Sequence, residues 1–246
     1  RVVSAQSLSG RLVRWWEGWS LRHAHQVLTD TQANADYFSD FYNIGKVKFK
    51  VVPVGADQTI YFPRRGRATD QNKTTVFFYG TYLPLHGVPI IVQAAAQLLA
   101  YPNIHFRLIG DGPEYATVAR FVREHHLSNV VLLNRVSQHE LADEINRADI
   151  CLGGPFSNYP KAQRVVTGKT YQFLAMGKPV IVGDTPGNRE ILQHNVNSLM
   201  VPTGDPTALA AAIRSLATDR DLRNRLSGAT RGILTRVDRT IANRLR

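Results

Sequence analysis

Thr167-Gly168-Lys169 opens a stretch, residues 167–182, in which a glycine and a lysine stand at the start of a short apolar-faced helix. A helix start leaves its first backbone amides without internal partners, and the aligned peptide dipoles place partial positive charge there. Beside a lysine, and beside a glycine that lets a ligand approach closely, such a start can hold a phosphate. Upstream lies a long irregular segment, 153–169, carrying Ser157, Tyr159, Lys161 and Arg164. If Lys161, Arg164 and Lys169 converge on the start at Gly168, Lys169 and Thr170, they would balance a diphosphate. The alternative for Lys161 and Arg164 is a solvated basic loop.

Other polar groups stand in glycine-bearing loops. Gly80-Thr81-Tyr82 and His86-Gly87 offer a hydroxyl and an imidazole, and Gly110-Asp111-Gly112-Pro113 presents amides at a helix start without being a GxGxxG fingerprint. Arg135-Val136-Ser137 forms a further turn, and Pro186-Gly187-Asn188-Arg189-Glu190 leads into a short helix. Glu190 either hydrogen-bonds a hydroxyl-rich ligand or complements its own helix dipole. The remaining histidines have no metal-ligand or triad spacing, so no metal is expected, and neither a nucleophile elbow nor a pair of hydrolytic acids is evident. The single cysteine, Cys151, excludes an internal disulfide and reads as a buried strand thiol.

The elements that must position these groups follow from apolar periodicity. Strands are predicted at 47–54, 75–79, 104–109, 130–133, 149–152 and 178–182, and helices at 8–28, 32–42, 88–100, 114–125 (with Pro113 at its first position), 138–147, 171–176, 206–217 and 221–230. From residue 75 onward, strands and helices alternate, and the strands are nearly continuous apolar runs. That pattern predicts an α/β fold with a doubly wound parallel sheet covered on both faces, followed by a helical tail. Ligands of such a sheet sit at the carboxyl ends of its strands, where the glycine turns collect. A proline-bearing and then polar segment, 52–73, predicts a boundary near residue 70, which gives units 1–70, 71–230 and 231–246.

The chain has 246 residues, 43% hydrophobic and 20% charged, which is ordinary for a folded protein and excludes disorder as its main state. No apolar run reaches membrane-spanning length and no signal peptide is visible, so a cytoplasmic protein is expected; the opening Arg1 suggests that upstream sequence is missing. The net charge of +11 calls for an acidic partner. Nine arginines between Arg214 and Arg246 suit solvated helix faces or a binding stripe, without a specific nucleic-acid signature. Trp15, Trp16 and Trp19 with Arg11, Arg14 and Arg22 suit a helix packed on a neighbouring domain or one lying on the inner face of an anionic membrane.

Five motifs in order carry a resemblance: Val52-Pro53-Val54-Gly55-Ala56-Asp57 with Phe62-Pro63, Phe78-Tyr79-Gly80-Thr81-Tyr82, Arg107-Leu108-Ile109-Gly110-Asp111-Gly112-Pro113, Ala148-Asp149-Ile150, and Leu174-Ala175-Met176-Gly177-Lys178-Pro179-Val180-Ile181. Together, over 29–229, they resemble the nucleotide-sugar-binding half of retaining GT-B glycosyltransferases of family 4. The resemblance implies a Rossmann-like C-terminal half of a GT-B fold, preceded by the end of an acceptor-binding domain. It also implies a nucleoside-diphosphate sugar as substrate, a sugar or lipid-linked acceptor, and transfer with retention and without metal or other cofactor. Such a fragment would be inactive by itself. Donor contacts would come from Gly80, Thr81, Tyr82, His86, Gly110, Gly112, Val136, Gly168, Thr170, Gln172, Gly187, Asn188 and Glu190, with Lys169, Lys161 and Arg164 at the diphosphate. The chain departs from the family where Thr81 and His86 replace an arginine and a lysine, and where Arg164 and Gln172 replace two glutamates. Gln172 still offers hydrogen bonds to a ribose, whereas Arg164 cannot accept any. Competing readings are a nucleotide-sugar epimerase of the same fold and a non-catalytic basic module for nucleotides or anionic surfaces.

Overall fold

The structure is a computed structural model that describes residues 7–64 and 73–244, the side chain of Arg231 excepted. The boundary expected near residue 70 lies outside the described residues, as do Arg1 and Arg246.

The apolar runs form a six-stranded, all-parallel sheet: β3 (Thr74–Tyr79), β4 (Ile104–Ile109), β5 (Val130–Leu133), β6 (Ile150–Leu152), β7 (Val180–Gly183) and β8 (Leu199–Val201), in the order β5-β4-β3-β6-β7-β8. Strand side chains alternate between faces, so Val76 and Phe78 enter one core and Phe77 the other. Helices α3 (Val88–Gln97), α4 (Tyr115–Glu124) and α8 (Pro206–Thr218) cover the first face; α5 (Gln138–Arg147), α6 (Gly168–Ala175) and the long α9 (Arg220–Arg244) cover the second. The doubly wound sheet is therefore as expected. Burial of Cys151 in β6 pushes its thiol up to about 12, the inert strand thiol that its apolar setting suggests.

Several elements differ from expectation. α1 (Leu8–His23) stops short of Leu28, because Val27–Thr29 pairs as β1 with β2 (Phe49–Val51) in a separate parallel ladder. α2 (Gln32–Tyr42) begins where expected, with the Thr31 hydroxyl accepting from the Asn34 amide at 3.1 Å. α4 starts two residues after Pro113, with Glu114 at its cap, while Ser137 closes a capping box on α5 as its hydroxyl predicts. β8 is an addition whose three residues are extended by pairing with β7. The tail is one helix running through residue 230, and Ile233, Leu234 and Val237 of α9 are buried beside Tyr171 and Leu174 of α6.

α1 packs on α2 where Gly18 faces the Tyr42 ring, leaving Trp15 and Trp16 65% and 60% exposed. Among the described residues, no helix is long and apolar enough to cross a membrane.

Candidate functional site

The sheet order changes direction between β3 and β6, so their outgoing loops diverge and open a crevice at the carboxyl edge. From β3 the chain passes Gly80, at φ 151°, into a tight turn over Pro84–His86. From β6 it runs through the Pro160–Arg164 turn and enters α6 with Thr167 at the cap position. Thr167 does not cap the helix. Its hydroxyl instead donates to the Gly153 carbonyl at 2.8 Å and lies 3.0 Å from the Thr170 hydroxyl. The first amides of α6 thus have no side-chain cap, and a Cβ added at Gly168 would meet nothing within 4 Å. This helix start is bare and open.

Lys169, on the first turn, folds back under the β3 loop. It is 6% exposed; its ammonium stands 5.1 Å from the Phe78 ring centroid, and its Cε is 3.3 Å from where a Gly80 Cβ would sit. No carboxylate pairs with it among the described residues, and burial pushes its pKa down to about 7. His86 lies across the same loop. A carbonyl can only accept, so Nδ1–H donates to the Thr81 carbonyl and Nε2 is left as an acceptor. Burial first, and the neighbouring Lys169 second, push the imidazole down to about 4, so it is neutral near pH 7. One turn beyond Lys169, Gln172 accepts a hydrogen bond from the Tyr79 hydroxyl at the end of β3. Lys169 and His86 therefore meet at Gly80 beside the open helix start, and Gln172 stands one turn further along α6 against Tyr79.

Other expected residues have structural partners. A Cβ at Gly110 would lie 2.0 Å from the Gly80 carbonyl oxygen, and one at Gly112 would lie 2.8 Å from the Tyr82 amide. These glycines let two rim loops pack on each other, and Tyr82 N–H donates to Asp111 O at 2.7 Å to join them. Tyr82 is fully buried beside Tyr115, and Thr170 is fully buried behind Gly153. Gly187 packs on the backbone of Arg164 and Val165; the fully buried Asn188 donates to the carbonyls of Gly183 and Gly154 at 2.8 and 3.1 Å. Val136 is exposed beyond β5.

Glu190 and Arg164 have partners other than those expected. Glu190 complements a helix other than its own: its carboxylate accepts from the amides of Gln32 and Ala33, at 2.7 and 2.8 Å, at the start of α2. Nor do three cations converge on α6. The Arg164 guanidinium stacks on Tyr37, 3.4 Å from the ring centroid, and its Nε is 3.3 Å from Asn34 Oδ1, because a planar cation gains more from that aromatic face than from open solvent. Lys161 lines the same recess against α2. Tyr79 and Phe78 escaped the sequence reading as site residues; their position directly before the rim Gly80 was the available signal.

Comparison with known proteins supplies the family. The model for group 1 glycosyl transferases matches residues 73–219. An uncharacterized glycosyltransferase of Methanocaldococcus jannaschii is 29% identical over 149 residues, 61% of this chain and 40% of that protein. A D-inositol 3-phosphate glycosyltransferase of Corynebacterium urealyticum is 26% identical over 82% of this chain and 50% of its own length. The chain thus spans half or less of these curated relatives. Among solved structures, Anabaena HepE in complex with UDP and glucose aligns with 99% of this chain and 68% of its own at a TM-score of 0.80 and 19% identity. Sucrose-phosphate synthase from Thermosynechococcus elongatus aligns with 99% of this chain and 62% of its own at 0.78 and 20% identity. These two likenesses show the fold, a Rossmann-like half of a GT-B architecture with its helical tail. With the family model covering more than half of its length, this chain belongs to the group 1 glycosyl transferases.

Proposed function

We propose that the chain is the donor-binding half of a retaining family 4 glycosyltransferase, and that the crevice around Lys169 holds the diphosphate of a nucleoside-diphosphate sugar. The observation that carries this reading is a buried lysine with no carboxylate partner, set on the first turn of a helix whose opening amides have no side-chain cap. Removing an ammonium from water is unfavourable without compensation, and a bound diphosphate supplies it. Gly168 leaves room for the phosphate oxygens at the amides of α6, while His86 Nε2 accepts a hydrogen bond from a sugar hydroxyl. Gln172, with Tyr79 behind it, faces the ribose.

In the transfer, the bond between the anomeric carbon and the diphosphate oxygen breaks and its electron pair leaves with the diphosphate. The acceptor oxygen bonds to the same face of that carbon and passes its proton to the departing diphosphate. Lys169 and the α6 amides stabilise the charge that develops on the leaving diphosphate. The acceptor is a sugar or a lipid-linked sugar. The enzyme works in the cytoplasm at the inner face of the membrane, where exposed Trp15 and Trp16 meet anionic lipid. Calorimetry with UDP, GDP and ADP tests the reading: micromolar binding of one of them is expected, and binding of none contradicts it.

A further inference from the structure

We propose that the recess between α1, α2 and the Pro160–Arg164 turn holds the anionic group of the acceptor, a phosphate or carboxylate carried on a sugar or polyol. This rests on the glycosyltransfer reading, which otherwise leaves the recess without a role. Its volume is about 440 Å3, and it is lined by Arg14, Lys161 and Arg164 over an aromatic floor that includes Tyr37 and Phe41.

Charge is the first argument. Three cations face one carboxylate, Glu17, which already accepts a hydrogen bond from the Tyr42 hydroxyl. Among the described residues neither Lys161 nor Arg164 forms an ion pair. Arg164 is held by Tyr37 and Asn34, contacts that fix the guanidinium and leave its terminal nitrogens able to donate to an oxyanion. The Arg14 guanidinium lies 5.4 Å from the Phe41 centroid.

Shape is the second. These cations line a shallow, open recess with room for one sugar-sized ligand. Tyr37 and Phe41 stack on each other with centroids 5.4 Å apart, a floor that carries the Arg164 and Arg14 guanidiniums and holds them in place.

Position is the third. The segment bearing Lys161 and Arg164 leads within a few residues into Gly168 and Lys169, so a short stretch of chain joins the recess to the proposed donor site. An anionic acceptor bound there would present its hydroxyl towards the donor.

The test is calorimetry of the chain saturated with UDP against glucose 6-phosphate, glucuronate, methyl glucoside and vesicles of phosphatidylglycerol. The proposal expects glucose 6-phosphate or glucuronate to bind, methyl glucoside to bind at least tenfold more weakly, and Lys161→Gln to weaken the anionic sugar about tenfold with UDP affinity unchanged. Lys161 is exposed, so its replacement leaves folding intact; Arg164→Gln should act in the same direction, with Arg164→Lys restoring part of the loss. Equal binding of neutral and anionic sugars, binding of vesicles alone, or indifference to Lys161→Gln would overturn it. UDP affinity, measured first on the same sample, separates failure of the donor reading from failure of this one.

Discussion

The ammonium of Lys169 stands 5.1 Å from the centroid of the Phe78 ring, so the last turn of β3 supplies an aromatic face to a lysine carried by α6. Two elements adjoining the switch point thereby hold one buried cation, compensated weakly by the ring and by no carboxylate among the described residues.

Replacing that cation should stabilise the fold while impairing the site. The folded-state pKa of Lys169 lies below its ordinary value, so its charged form is disfavoured by folding. The penalty is full below about pH 7 and fades as pH rises towards the ordinary lysine value. Lys169→Met should therefore be more stable by roughly 1–3 kcal/mol at pH 6, with the gain vanishing near pH 10. Urea unfolding across that range checks both sign and window.

Gly110 and Gly168 should respond oppositely to alanine. At Gly110 the new Cβ would meet the Gly80 carbonyl at 2.0 Å with φ at 132°, and the loss should exceed about 3 kcal/mol in denaturant unfolding. At Gly168 the Cβ meets nothing, so stability should stay within about 0.5 kcal/mol while nucleotide affinity falls as the methyl enters the phosphate space.

Glu190→Ala should remove the carboxylate that caps α2 alongside Thr31. The expected cost is about 1 kcal/mol, lowering Tm by roughly 2–4 °C, with nucleotide affinity unchanged within twofold. An unchanged Tm with a large loss of affinity would return Glu190 to the ligand.

Ending the chain after residue 230 should abolish cooperative folding. It strips Ile233, Leu234 and Val237 from the core around Tyr171, and each buried aliphatic side chain contributes on the order of 2 kcal/mol. Thermal unfolding followed by circular dichroism would show the sharp transition of the full chain replaced by a shallow slope.

Local signals carried the sheet and its rim into view. β3, β4 and β5 are apolar runs bounded by turn residues, and the Ser137 capping box is written in four adjacent residues. β1 and β8 were hidden because three-residue strands owe their extension to a partner, β2 or β7, rather than to their own periodicity. At the site, Gly168 and Lys169 were legible from the helix-start pattern. The destination of Arg164 was not, since it depends on Tyr37, which lies far away in sequence. The approach of Gly110 to the Gly80 carbonyl was hidden for a similar reason: a glycine that admits a neighbouring loop looks the same in sequence as one that admits a ligand. Glu190 was equally open, because the helix that it caps begins at Gln32.

The central claim is that Lys169 meets the diphosphate as an ammonium. UDP titrations at pH 8 in buffers of different ionisation enthalpy, on the native chain and on Lys169→Met, test it most directly. With the free lysine near pKa 7, a bound diphosphate should restore its charge. The native chain should take up close to one proton on binding and lose affinity as pH rises above 7; the variant should take up none and bind at least tenfold more weakly. Equal affinity and equal proton uptake in the two proteins would contradict the account.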